Sequence, residues 1–386
     1  MGTAHWHDIA DLRAAARRRL PRGLFDYVDR GCDAEAGLGR NRAAFDAITF
    51  APAVLRDVAD RSLDITLLGR AAALPMAIAP MSPAGLLWFE GERELALAAA
   101  RAGIPYTLPT ESMTPLADIA AVGGRVWFQL YVWTDKTESW RLVDRASKAG
   151  CDTLVLTVDT PVPPHRAFNQ RSGFGTPFRP GPSNIADMLL HPSWLFGVMG
   201  RYLMSSGLPR LQNHPGNPRR SVLSSTPPGT RMNASVTWED VGTLRRIWPG
   251  ALLIKGILTP RDAVRAIDHG ADGVVVSNHG ARNLDAAVPP ILALPAIAAA
   301  ISGRATILLD SGVRHGSDIA KALALGANAV LIGRAALFGL AAGGGNGVSR
   351  ALDLLRLEFD TTLAMLGCRS PGDLNADLIW RTHQRV

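Results

Sequence analysis

Cysteine is scarce in this chain. Only Cys32, Cys151 and Cys368 occur among 386 residues, far apart and odd in number. That excludes a disulfide framework and points to a reduced, cytoplasmic setting. Metal-binding spacings such as CxxC and HExxH are missing and the nine histidines are scattered, so no catalytic metal is expected. No apolar run reaches the eighteen or so residues that a membrane-spanning helix needs. The opening segment, MGTAHWHDIADLRAAARRRL, reads as an amphipathic, charge-laced helix rather than a secretory leader. Acidic residues are outnumbered, 34 against 41 Lys and Arg, for a net charge of +7. The arginines are dispersed, however, and no helix-turn-helix, RNA-recognition or finger pattern appears. The basicity therefore fits an anionic membrane surface or an anionic substrate better than nucleic acid.

What is abundant is core. With 47% hydrophobic and 19% charged residues, the chain suits one large globular domain or two small ones, and is expected to form a single domain over 1–386. After two short N-terminal helices, apolar runs recur at 74–80, 104–110, 125–131, 153–159, 251–256, 273–278, 306–310 and 328–333. Alanine-rich periodic stretches such as GERELALAAARAG separate them. Eight strands alternating with helices predict an α/β chain folded as a (β/α)8 barrel. Ser82, Gln129, Tyr131, Asp159, Lys255, His279, Asp310 and Arg334 then fall at the C-terminal ends of strands, the rim where such barrels carry active sites.

GVVVSNHGARNLD (273–285) is the richest segment. An apolar strand runs into His279 and, three residues on, Arg282, which places a base beside a cation able to hold a carboxylate through two parallel hydrogen bonds. ILLDSGVRHGSD (307–318) and AVLIGRA (329–335) each combine Gly with Arg after the last two strands, where barrels commonly bind phosphate. Gly343–Gly345 and Gly347 follow a helix instead and read as an inter-helix turn. A barrel isomerase or lyase that binds a phosphorylated substrate is consistent with these features.

One connection is abnormal. Residues 162–235 form an inserted excursion rich in Pro, Gly, Ser and Arg, with the apolar stretch HPSWLFGVMGRYLM (191–204). Arg179, Arg201, Arg210, Arg219, Arg220 and Arg231 stand there against Asp187, which favours an anionic surface. Residues 184–215 are expected to be mobile or membrane-facing rather than part of the barrel. A lid helix or a subunit contact is the alternative.

SNHGxRxLD, DSGxR and IGR together resemble the FMN-dependent (S)-2-hydroxy acid dehydrogenase/oxidase family, from LPRGLFDYVDRG (20–31) to ALALGANAVLIGRAALFGLA (322–341). Within it, the HPSWL insertion and LPRLQN most resemble the mandelate and membrane-associated lactate dehydrogenases. The resemblance implies oxidation of a mandelate- or lactate-like 2-hydroxy acid to the 2-oxo acid. It implies FMN as cofactor, a quinone-like acceptor or, alternatively, O2 with peroxide as product, a homo-oligomer, and peripheral contact with the inner face of a membrane. It makes His279 the base and Asp159 its orienting carboxylate. Arg282, Arg166 and Tyr27 would hold the substrate carboxylate and Tyr131 its hydroxyl. Pro80, Ser82, Gln129, Thr157, Lys255 and Ser277 would meet the flavin ring, and Asp310, Gly312, Arg314, Gly333 and Arg334 its ribityl-phosphate end. Whether His279 removes the α-proton or the hydroxyl proton stays open.

Several residues depart from the family pattern. Ala281 and Asn283 stand where Gly and Gln are usual, and Ala281 is expected to push a methyl toward the flavin. Met81 and Ser82 stand in APMSPAG, where Thr or Val and a small residue are common. Pro109 removes a donor in TLPTES. Glu111 occupies a substrate-pocket position that is typically apolar or aromatic, which favours a substrate whose far end carries a hydroxyl or an amine.

Overall fold

The computed structural model describes residues 5–175, 178–179, 181–215 and 220–380. Eight parallel strands close into a barrel in sequence order. They are β1 (Met76–Ile78), β2 (Tyr106–Leu108), β3 (Val126–Leu130), β4 (Thr153–Thr157), β5 (Ala251–Ile257), β6 (Gly273–Val276), β7 (Thr306–Leu309) and β8 (Ala329–Ile332). Each coincides with one of the apolar runs. Such runs suit strands buried on both faces, as a parallel sheet wrapped in helices requires.

Alternation along each strand builds the site. Ala77, Trp127, Val155, Leu253, Val275, Leu308 and Leu331 share one buried cluster, whereas Phe128, Leu154, Ile254, Val274, Leu309 and Val330 belong to the larger core that the helices also share. The first set therefore points inward, because side chains two apart share a face. Two residues further on, the inward positions turn polar: Gln129 after Trp127, Thr157 after Val155, Lys255 after Leu253, Ser277 after Val275, Asp310 after Leu308. One more step reaches Tyr131, Asp159 and His279. The barrel is thus apolar low down and polar at its C-terminal mouth. A hairpin, Ile65–Leu67 with Arg70–Ala72, adds Leu67 and Ala72 to the inward cluster.

The N-terminal region forms three helices rather than two: α1 (Ile9–Arg19), α2 (Arg22–Asp29) and α3 (Ala36–Asp46). The third starts against Asp285, whose carboxylate accepts from Gly37 N at 2.6 Å and Ala36 N at 3.2 Å. An anion at a helix N-terminus satisfies its orphan donors, so the aspartate of the SNHGARNLD segment serves here as a cap. Downstream, Arg334–Met365 is broken by non-helical backbone at Gly343 and Gly344, the inter-helix turn expected there.

The excursion holds short helices, among them Pro182–Leu189 and Arg201–Ser205, and a small hairpin, Arg210–Leu211 with Arg220–Ser221. Arg219 lies outside the described residues. One side of the excursion is anchored. Trp194, Val198 and Tyr202 are buried, the Trp194 indole donates to Leu86 O at 2.7 Å, and Tyr202 packs on Phe89 at 4.8 Å. The other side is apolar yet open: Leu190, Phe196 and Met204 are 78%, 70% and 82% exposed. Gln212 N also donates to Ser112 O and Asn213 Nδ2 to Pro109 O, which seats residues 211–214 on the loop after β2. The expectation that 184–215 stands apart from the barrel needs amending. The segment is half docked, because Trp and Tyr carry polar tips that find partners there while their rings leave water.

Candidate active site

A cavity of about 730 Å³ opens at the C-terminal mouth. His279 sits beside it with its Nδ1 2.8 Å from Asp159 Oδ1. A carboxylate only accepts, so Nδ1 carries the proton and Nε2 is left as the basic atom. The Tyr131 hydroxyl lies 3.4 Å from that Nε2. Burial pushes the His279 pKa down, and Lys255 adds to this; Asp159 opposes without reversing it. Asp159 is itself pushed up by burial but held at about 2 by the charges of His279 and Lys255 and by hydrogen bonds from His279 and Thr160. At neutral pH the pair is a neutral imidazole on an ionised carboxylate, the state a general base requires.

The loop carrying His279 is forced into shape. His279, Gly280 and Ala281 all have positive φ, near 56°, 64° and 57°. Only glycine adopts that region freely, so the two others are strained and need external ties. Ser311 supplies one: its hydroxyl accepts from Gly280 N at 2.8 Å and Asn278 N at 3.3 Å while donating to Asp310 at 2.6 Å. Ser277 Oγ accepts from His279 N at 3.0 Å. Asn278 and Asn41 exchange amide hydrogen bonds of 2.8 and 3.0 Å, which fixes the loop to α3. Ala281 is fully buried and is not among the cavity-lining residues; a Cβ on Gly37 of α3 would lie 2.9 Å from its methyl. The added methyl faces α3 rather than the cavity, because the left-handed backbone at Ala281 turns it there. Asn283 reaches back to donate to Asp159 O and Thr160 Oγ1, at 3.0 and 2.6 Å.

Six arginines line the cavity, Arg220 and Arg231 besides the four Arg166, Arg282, Arg314 and Arg334. Arg282 donates to Tyr27 O and Arg30 O, Arg166 to Arg282 O, Arg334 to Val28, Gly280 and Arg30 carbonyls, and Arg314 to Val313 O. Among the described residues none of the four is ion-paired with a carboxylate. Burial lowers Arg282 and Arg314 to about 10 and pulls Arg334 well down; neighbouring arginines add to the effect. Buried cations that depress one another call for an anion. Lys255 differs. Burial pulls it down, but Asp310 at 3.2 Å and Asp159 outweigh that and leave it raised and charged, with Ser277 Oγ 2.9 Å away.

Tyr27, Pro80, Ser82, Glu111, Gln129, Tyr131, Arg166, Lys255, His279, Arg282, Asp310, Gly312, Arg314, Gly333 and Arg334 all line this cavity. Asp159, Thr157 and Ser277 stand just behind it. Tyr27 places its ring 5.0 Å from the Arg282 guanidinium. Two buried donors on the mouth, Gln129 Nε2 and Thr157 Oγ1, have no partner among the described residues. Part of the wall was not foreseen. Phe174, Phe178, Leu211, Arg220 and Val222 come from the excursion, whose irregular sequence carries no periodic signal to mark them. Among the described residues no group of acidic, histidine or cysteine side chains is arranged to hold a metal ion.

A profile of the FMN-dependent dehydrogenases matches residues 16–381. The L-lactate dehydrogenase of Acinetobacter baumannii is 42% identical over 372 residues, 96% of each chain. The crystal structure of the monotopic membrane protein (S)-mandelate dehydrogenase superposes with a TM-score of 0.91 at 39% identity, covering 97% of this chain and 99% of that one. A mandelate oxidase bound to (S)-2-phenylpropionate gives a TM-score of 0.82 at 40% identity, covering 97% and 98%.

Proposed function

This chain belongs to the FMN-dependent dehydrogenase family, whose activity here is flavin-dependent oxidation of a 2-hydroxy acid, and from that premise we propose how its own residues divide the work. The observation that carries the reading is the neutral His279, held 2.8 Å from Asp159, in the same cavity as the unpaired Arg282.

The residues present suit FMN. Gln129 and Thr157 offer unpartnered donors toward a ring edge, and Lys255 offers a fixed positive charge. Arg314 and Arg334 offer charge for a phosphate. Gly312, at a φ of 126°, brings backbone close, where a Cβ would meet the Phe45 ring at 3.0 Å. FMN when bound supplies the two-electron acceptor, chemistry that belongs to the cofactor.

The substrate is an (S)-2-hydroxy acid of the lactate or mandelate type. Arg282, with Arg166 and Tyr27 beside it, clamps the carboxylate and so presents the hydroxyl-bearing carbon to His279. Tyr131 binds the substrate hydroxyl. His279 Nε2 takes the proton, and the imidazolium so formed is stabilised by Asp159. Ser311, Ser277 and Asn283 position these groups through their hydrogen bonds.

The whole chain works as one domain, with 162–235 as its inserted excursion. The excursion's open apolar face rests on a membrane surface, on the reduced side that three unpaired cysteines suit, and the reduced enzyme hands its electrons to a quinone-like acceptor there. Among the described residues no helix is long and apolar enough to cross a membrane, so this contact is peripheral. The test is anaerobic: a panel of (S)-2-hydroxy acids should bleach the enzyme's visible flavin absorption, with a stable quinone analogue restoring it faster than O2. Faster return with O2 would assign an oxidase instead.

A further inference from the structure

The cavity has a second polar wall. Glu111 lies three residues beyond the end of β2, and His279 three beyond the end of β6. In a ring of eight strands those two are diametrically opposite. A substrate whose carboxylate end is held beside His279 therefore points its far end toward Glu111. There the excursion contributes two buried cation-capable groups. His214, with 1% of its side chain exposed, puts Nε2 3.0 Å from Glu111 Oε1. Arg220, with 5% exposed, brings Nη1 to 3.9 Å from Glu111 Oε2, too far for a hydrogen bond, and its Nε has no partner among the described residues. Glu111 Oε2 and Arg220 thus face each other across a gap, one able only to accept and the other only to donate.

We propose that Glu111 and Arg220, with His214 fixing the carboxylate from behind, form a subsite for a hydroxyl group at the far end of the 2-hydroxy acid. The proposal rests on the oxidation reading above and refines its substrate. A hydroxyl is the smallest neutral group that donates to Glu111 and accepts from Arg220 together. A far-end ammonium, which the sequence also admits, meets Arg220 and is repelled; a far-end carboxylate meets Glu111 and is repelled. A plain phenyl or methyl end offers no group to bridge Arg220 and Glu111 in a partly dry site, which costs affinity.

The test uses the flavin-loaded enzyme and two unreactive product-like acids, phenylglyoxylate and 4-hydroxyphenylglyoxylate, titrated while the visible flavin bands are followed. The hydroxylated acid should bind at least about tenfold more tightly, the discrimination expected of a buried hydrogen-bonding pair. That ratio should fall below about threefold in both Glu111→Ala and Arg220→Met. Glu111→Gln keeps an acceptor for His214, so it holds the excursion in place if the alanine variant fails to fold; it should reduce the ratio as well. Equal binding of the two acids by the native enzyme would overturn the subsite while leaving the oxidation reading intact. So would a preference that survives in the variants that fold, which would make the Glu111–His214 contact a latch for the excursion only. If neither acid perturbs the flavin and no 2-hydroxy acid bleaches it, the oxidation reading falls and the subsite with it.

Discussion

His279 is useful because it is uncharged where an ordinary histidine would be partly protonated. Burial disfavours its cationic form, so its pKa lies below the usual 6.5. As the proposed base, it works only when neutral. The kcat/KM profile should therefore stay flat from neutral pH downward and fall only below the ordinary histidine value. Asp159 raises the His279 pKa, so Asp159→Asn should move this acid limb to still lower pH. It should also reduce kcat by roughly 10²-fold or more, because the imidazolium loses its stabilising charge. A limb that moves upward in the variant would contradict the pairing. Arg282→Lys replaces a planar fork by a point charge and should weaken the binding of a 2-oxo acid by about 1–3 kcal/mol, read from flavin titration. The corresponding amide, with no carboxylate, should lose much less. Equal losses would remove Arg282 from the clamp.

The loop after β6 and the excursion are the elements on which the chemistry depends. In that loop, strain at His279 and Ala281 is offset by hydrogen bonds from the neighbouring β7 loop, and Ser311 itself has a φ of 73°. Ser311→Ala keeps that strain and leaves two amides without their acceptor, so the flavin-loaded enzyme should lose about 1–3 kcal/mol in thermal unfolding. Ser311→Gly loses the same acceptor but relaxes the backbone, so it should be the milder change. An alanine variant as stable as the glycine one would show that the strain is not real. For the excursion, Phe196, Leu203 and Met204 lie on the open face and none of them lines the cavity. Replacing all three by serine should weaken binding to anionic vesicles at least about tenfold, given the apolar area withdrawn from the interface. The flavin-to-protein ratio should not change. Unaltered vesicle binding would move the membrane contact elsewhere.

Across the whole molecule, what the sequence displayed was periodic. Each barrel strand was visible as an apolar run, and each rim residue as the polar position where inward alternation breaks. His279, Asp159, Arg282, Arg314 and Arg334 follow from that rule together with the SNHGARNLD and DSGVR segments, whereas Arg166 is marked only by the family resemblance. What it hid depended on contacts between distant segments. Helix α3, AGLGRNRAAFD, has two glycines and little amphipathic character; it is held by Asp285, some 250 residues away, rather than by propensity. The direction of the Ala281 methyl was hidden in a positive φ that no residue type announces. The part of the cavity wall built from Leu211, Arg220 and Val222 lies in an irregular segment, where neither a helical nor a strand period operates.

The central claim is that His279 is the base for oxidation of an (S)-2-hydroxy acid in a cavity that holds flavin by other groups. The most direct measurement is rapid-mixing anaerobic reduction of the bound flavin by an (S)-2-hydroxy acid and its (R)-enantiomer, in the native enzyme and in His279→Ala. The native flavin should bleach with the (S)-acid only. The variant should keep its flavin and bleach about 10²–10⁴-fold more slowly. A His279→Ala enzyme that retains more than about a tenth of the native rate, or a native enzyme whose flavin no 2-hydroxy acid reduces, would contradict the account.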